Sequence, residues 1–195
     1  MKNQIKIIAS SLAFACASML AFNSCTKIAN NLQYDLEMQT ATVDVEIPAY
    51  DNTTIAISGS QTVDYNIDSF IRANTANMMS VSNITSAKIK SCKLVLNDAT
   101  PEANFANFKS CNASFFTDGN KTPFKISILD NPDKYATELE LPVDTEAELK
   151  GYLSGGNKFT YTLGGQLRRA TKTAVHATAT IAFNIHVQGL TTASK

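Results

Sequence analysis

The chain has no tryptophan and only two histidines among its 195 residues. Without tryptophan, a sugar-stacking platform would have to rest on Tyr or Phe, and Tyr50 in Pro48-Ala49-Tyr50-Asp51-Asn52 is the exposed aromatic the sequence offers for it. His176 and His186 are ten residues apart in one alternating stretch. At ~3.3 Å per residue they stand ~33 Å apart, too far to share a zinc ion whose ligands all lie ~2 Å from it. No Gly-x-Ser-x-Gly elbow occurs for a Ser-His-Asp hydrolase, and no Cys-x-x-Cys for a redox centre. Acidic loops with calcium-hand spacing are also missing. The only glycine-rich run beside a helix, Ser154-Gly155-Gly156-Asn157, follows the helix, whereas a phosphate cradle precedes one. No enzymatic activity, metal or cofactor is therefore expected.

Charge of one sign is lacking too. Lys+Arg and Asp+Glu both number 17. If Lys2 and Lys6 leave with an export signal, 15 basic residues face 17 acidic ones, a formal −2. Phosphate backbones call for a basic surface, so nucleic acid is not an expected partner. After residue 25 there is no apolar run of membrane length.

What is present begins with residues 1–25. Lys2 and Lys6 are followed by the uncharged apolar run Ile7–Phe22, then Asn23-Ser24-Cys25. A short apolar run behind two lysines at the extreme N-terminus is the pattern of a secretory signal. Its end resembles a bacterial lipoprotein signal. Small Ser24 precedes Cys25, although Phe22 stands where Leu is usual. By that resemblance Cys25 is lipidated and becomes the mature N-terminus. Cys16, behind Ala13-Phe14-Ala15, is the competing position, and cleavage at a small residue to release a soluble protein is the other alternative. Two or more acyl chains would anchor the protein stably, at about 0.8 kcal/mol per buried methylene. Residues 26–31 form a tether of at most ~20 Å.

The remainder, 32–190, reads as one β domain with a short tail, 191–195. Thr173–Gln188 organises it. Val175, Ala177, Ala179, Ile181, Phe183, Ile185 and Val187 alternate with mostly polar residues, the period-two signature of a strand with one buried face. At about fifteen residues it is long enough to need a bend or bulge. The apolar phase flips near Gln39-Thr40 between Leu32–Met38 and Ala41–Ile47, and again near Ser91 between Ala87–Ile89 and Cys92–Leu96. Each flip requires a bulge or a change of sheet.

Thr53–Ile57 and Gln61–Tyr65 are expected to form a hairpin around Ser58-Gly59-Ser60. Further strands are expected over Phe105–Phe116, Phe124–Ile128, Tyr135–Leu141 and Lys158–Leu163, with Asp118-Gly119 as a hairpin turn and Gly164-Gly165 opening a loop. A short helix is expected at 68–72, and Asp144–Leu153 has helical spacing with a Thr145…Glu148 capping box. Nine or so short strands with one helix before the last two predict an all-β fold, an antiparallel Ig-like β-sandwich.

A lipoprotein-type signal followed by such a sandwich resembles the lipoproteins of Bacteroidetes-type bacteria. The likeness rests on Asn104-Phe105-Ala106-Asn107-Phe108-Lys109-Ser110, Leu149-Lys150-Gly151-Tyr152-Leu153 and Ala179–Val187. It implies an exported, membrane-anchored protein of the outer membrane, with periplasmic face or cell surface left open, and no functional residue beyond Cys25.

Cys92 and Cys111 fall on the apolar phase of consecutive strands. Were Leu96 to pair with Asn107, the two thiols would face each other within disulfide reach, an even pair in an oxidising compartment. Two small buried thiols are the alternative. Arg168, Arg169 and Lys172 cluster in one loop and, with Tyr50, are candidate ligand contacts. The expected function is a monomeric, non-enzymatic binding or structural protein of the cell envelope. It would touch the membrane through its lipid and an envelope protein or surface ligand through its loops. A fimbrial or assembly subunit exchanging Leu32–Ile47 as an edge strand is the alternative, with an envelope hydrolase third.

Overall fold

A computed structural model of the chain describes residues 32–40, 43–50 and 56–189. The signal, Cys25, the tether, the tail and residues 51–55 lie outside the described residues. Among the described residues there are nine strands: β1 (Gln33–Gln39), β2 (Val43–Ile47), β3 (Ala56–Asp64), β4 (Ile84–Leu96), β5 (Phe108–Thr117), β6 (Phe124–Ile128), β7 (Glu138–Leu141), β8 (Lys158–Leu167) and β9 (Val175–Gln188). Two helices join them, α1 (Ile67–Asn74) and α2 (Lys150–Leu153).

The strands form two antiparallel sheets. One runs β1-β9-β4-β7, with β2 also on β9, and the other runs β3-β8-β5-β6. Four of the pairings nest: β2 with β9, β3 with β8, β4 with β7 and β5 with β6. The chain thus goes out through four strands and returns beside itself, one long double ribbon. Rolling that ribbon places alternate pairs in opposite sheets, and β4–β9 and β5–β8 complete them. The all-β antiparallel sandwich and the short helix before its last two strands are as expected. The strand order, however, is that of a jelly roll, not the four-plus-three arrangement of an immunoglobulin domain.

β9 is the spine of the first sheet. Its buried residues include Val175, Ala177, Ala179, Ile181, Phe183, Ile185 and Val187, as the alternation requires. The two phase flips are bulges on the strands flanking it. Gln39 faces Ala182 and Val43 faces Ala179, so the register on β9 shifts by one residue between β1 and β2. On the other side Ile89 faces Phe183 and Ser91 faces Ala182, which leaves Lys90 as the extra residue. Each bulge returns the apolar set to the same face, so Met38 and Val45 are both buried despite opposite sequence phase.

The sheets meet through an aromatic cluster. Phe183 of the first sheet packs edge-on against Phe115 of the second, with centroids 5.6 Å apart. Phe124, Tyr152, Phe159 and Tyr161 surround Phe115 at 5.4–6.2 Å. Such pairs contribute roughly 0.5–1.5 kcal/mol each beyond their buried area. Tyr161 brings its hydroxyl into this core, where it has no hydrogen-bond partner among the described residues. α1 closes one end of the sandwich. The Asn66 side chain caps it by accepting from Ser69 N (2.8 Å), and Ile67 and Ile71, one turn apart, are buried.

Several local expectations give way to tertiary contacts. The 53–65 hairpin is instead the single strand β3, and Gly59 serves close approach, since a Cβ there would lie 2.1 Å from Val45 Cγ1. Gly164 and Gly165 continue β8 rather than ending it. The strand expected from Tyr135 begins only at Glu138. The helix is four residues long instead of ten, because Glu148 and Leu149 are drawn onto β4. Glu148 accepts hydrogen bonds from Ala87 N (2.8 Å), Ser86 Oγ (2.7 Å) and Lys150 N (2.8 Å), and Leu149 N donates to Ala87 O (2.7 Å). Burial alone would raise the Glu148 carboxyl, but these bonds, with Lys88 nearby, hold it below its usual range. Gly155 and Gly156 follow the helix without left-handed backbone. It is Gly119, in the β5–β6 turn, that serves close approach there, since a Cβ on it would meet Gly155 O at 2.1 Å.

Candidate functional site

The structure redistributes the residues singled out by sequence. Cys25, the lipid-anchor candidate, lies outside the described residues. Cys92 and Cys111 are free thiols on different sheets, because Leu96 pairs with Ala177 and not with Asn107. Both are buried, and desolvation pushes each thiol up to about 12, so they behave as small apolar core residues and not as reactive groups.

The two candidate loops come together. Tyr50 N donates to Thr171 O and Thr171 N to Tyr50 O, both at 3.0 Å, and the Tyr50 ring is partly buried against the core. The arginines of the second loop are committed inward. Arg168 donates to Asn131 O (2.6 Å), and Arg169 donates to Ala106 O (3.2 Å) and the Asp133 carboxylate. Their backbone amides both reach Asn107 O. Lys172 is exposed.

Beneath them lies a hub that sequence periodicity missed. Asn104, Asn107 and Asn131 are buried. Asn104 and Asn107 cap each other's backbone around the short 3₁₀ turn Phe105–Asn107. Asn131 Nδ2 donates to Phe105 O (2.7 Å). The segment read as apolar packing is thus half polar, and its asparagines satisfy the backbone where β4 crosses to β5. Asparagine at Asn104 and Asn107, three residues apart before a strand, was the available signal.

Both histidines are structural ties on the outer face of β9. His176 Nδ1 lies 2.8 Å from Asp98, and His186 Nδ1 lies 2.7 Å from Asp35. The hydrogen bond and charge of Asp98 hold the His176 imidazole above its ordinary value and, in turn, that carboxyl is held low. Among the described residues no three His, Cys, Asp or Glu side chains are placed to hold a metal ion, and no helix is long and apolar enough to cross a membrane.

The two outer faces differ in kind. On the β1-β9-β4-β7 sheet several charged and polar side chains pair with one another. Lys90 pairs with Glu37 (2.5 Å), Lys93 with Glu138 (2.7 Å), and Thr178 donates to Asp44 (2.8 Å) while accepting from Asn97 (2.6 Å). The β3-β8-β5-β6 sheet presents the uncharged Ser58, Ser60, Thr62, Ser110, Asn112, Ser114, Thr160, Thr162 and Gln166, with Asp64 opposite Lys158 at one end and Lys125 on its β6 rim. Thr62 and Thr160 share one hydrogen bond at 2.9 Å. Ser58, Ser110, Asn112 and Gln166 border a shallow depression floored by Gly164 and Gly165, and their side chains make no hydrogen bond to other described residues. Around this depression the face can offer donors and acceptors to a partner without breaking a bond among the described residues.

No protein-family model and no curated protein matches the chain. Several solved structures with a similar course are viral. A 60-mer BFDV capsid protein is 8% identical over 85% of this chain and 98% of its own, with a TM-score of 0.36. Infectious bursal disease virus Gx strain is 10% identical over 85% of this chain and 39% of its own, with a TM-score of 0.39. Turnip yellow mosaic virus is 10% identical over 85% of this chain and 99% of its own, with a TM-score of 0.27. These likenesses are too distant to bear on function, and the jelly-roll assignment rests on the strand pairing itself.

Proposed function

We propose that this chain is a lipid-anchored lipoprotein of a bacterial outer membrane, held through Cys25, that works by binding or building and not by catalysis. The observation that carries the reading is the contrast between the two outer faces. The charged face ties many of its side chains in internal pairs, whereas the largely uncharged β3-β8-β5-β6 face keeps most of its hydroxyl and amide groups free of bonds to other described residues. The groups that would bear chemistry are absorbed by the fold: thiols in the core, imidazoles tied to aspartates, arginines bonded to backbone carbonyls. Exchange of Leu32–Ile47 with a neighbour is less favoured, because this segment pairs with β9 of its own chain and buries Met38 and Val45.

A photo-crosslinking residue placed at Asn112, on the uncharged face, or at Lys93, on the charged one, tests the reading in intact cells. Adducts formed from position 112 and not from 93 are expected. Equal labelling from both, or labelling from 93 alone, would remove the basis for assigning the binding face.

A further inference from the structure

The sheet edges are not protected alike. β1 carries Asp35 and Glu37, β2 carries Asp44 and Glu46, β7 carries Glu138 and Glu140 and is followed by Pro142, and β6 carries Lys125 behind Pro123. Charges and prolines of this kind keep an open edge from pairing with another chain. β3 is the exception. Its only strand partner among the described residues is β8, and from Ala56 to Val63 it has neither a charge nor a proline. It is also held ready. Val45 packs on Gly59 from the inner side, and Gln61 Oε1 accepts from Asp44 N at 3.0 Å. Nine residues give an edge of ~30 Å, long for an unprotected strand.

Charge selects the occupant. In a two-fold antiparallel pairing each residue meets its mirror position. About the centre of β1 this would set Asp35 against Glu37, and about the centre of β2 Asp44 against Glu46, like charges directly opposed. About Ser60, the centre of β3, it sets Ser58 against Thr62, Gly59 against Gln61 and Asp64 against Ala56, with no like pair.

We propose that β3 is the self-association edge of this protein: it pairs with β3 of a second copy, antiparallel about Ser60. Two four-stranded sheets then become one eight-stranded sheet, a closed isologous dimer, in place of the monomer expected from sequence. The outer face of the joined sheet is the largely uncharged face of both copies, doubled in area, with Asp64 the one charge at each end of the seam.

Single cysteines placed at Ser60 and Thr160 test this in the exported full chain, oxidised mildly in the membrane and run without reductant. Across the two-fold axis the Ser60 positions lie ~4.5–5.5 Å apart at Cα, within disulfide reach. S60C should form a covalent dimer several-fold more efficiently than T160C, which sits on the same face one strand inward. Equal crosslinking of the two overturns the proposal. The detergent-extracted protein should sediment as a dimer, and S60K, which sets two ammonium groups face to face, as a monomer with an unchanged far-UV circular dichroism spectrum and a melting temperature that no longer depends on protein concentration. A wild-type protein that sediments as a monomer at high micromolar concentration also overturns it. Neither readout depends on a ligand, so failure here leaves the Asn112 crosslinking result standing on its own.

Discussion

The Lys90 ammonium and the Glu37 carboxylate meet at 2.5 Å although a whole strand separates them. Glu37 is on β1, Lys90 on β4, and β9 runs between. Ala182 of β9, flanked in register by Gln39 and Ser91, has its side chain on the outer phase yet is 4% exposed. Two features make the pair possible: the Lys90 bulge, which pushes its side chain outward, and the small residue at 182, which leaves room beneath.

Ala182→Leu should therefore destabilise the protein by roughly 1–3 kcal/mol, as overpacking does, while Ala182→Ser should be near neutral. Both ions are 46% exposed, so a double-mutant cycle between Glu37→Gln and Lys90→Met should give under about 1 kcal/mol, falling with salt. Urea unfolding reads both. A tolerated leucine at 182 would mean that the strand is not covered at this point.

Tyr161 makes the opposite prediction. Its phenol is buried with no hydrogen-bond partner among the described residues, and burial pushes it well up in pKa. The nearby Thr40 hydroxyl offsets this only in part, and its own proton goes to Ile181 O at 3.2 Å. Removing an unpaired buried hydroxyl recovers its desolvation cost, so Tyr161→Phe should stabilise by about 1 kcal/mol. A loss of stability would show that the hydroxyl is satisfied after all.

The His176–Asp98 pair sets a pH window. His176 is raised, so its contribution is full below the ordinary imidazole value of ~6.5 and is lost as pH rises through its higher folded value. Asp98 is lowered, so its contribution is present above the ordinary carboxylate value of ~3.9 and is lost as pH falls through its lower folded value. The pair holds between the two folded values. NMR titration of the His176 ring protons should give a raised midpoint that returns towards ~6.5 in Asp98→Asn. An unshifted midpoint in the wild type would break the assignment.

Period-two alternation made the strands legible, and β9 nearly residue by residue. Phase flips at 39–40 and 91 revealed the bulges, because a one-residue slip leaves a mark in the pattern. What the alternation does not encode is which strand lies beside which. The nested pairing of β2 to β9, β3 to β8, β4 to β7 and β5 to β6 is a long-range fact, and the Cys92–Cys111 expectation failed there by assuming that consecutive strands are neighbours. Local signals also lost to tertiary contacts. Gly59 reads as a turn but makes room for Val45, and Glu148 reads as a capping residue but bonds β4. The uncharged face was visible as residue types, yet only the pairing of β3, β8, β5 and β6 assembles Ser58, Asn112 and Gln166 into one surface.

Fatty-acid labelling reads out attachment through Cys25. Cells fed a radiolabelled or alkyne-tagged palmitate should yield labelled protein in the membrane fraction. Cys25→Ser should abolish the label and leave the precursor uncleaved, while Cys16→Ser should change neither. Label that survives Cys25→Ser, or a wild-type protein recovered soluble and unlabelled, would contradict the account.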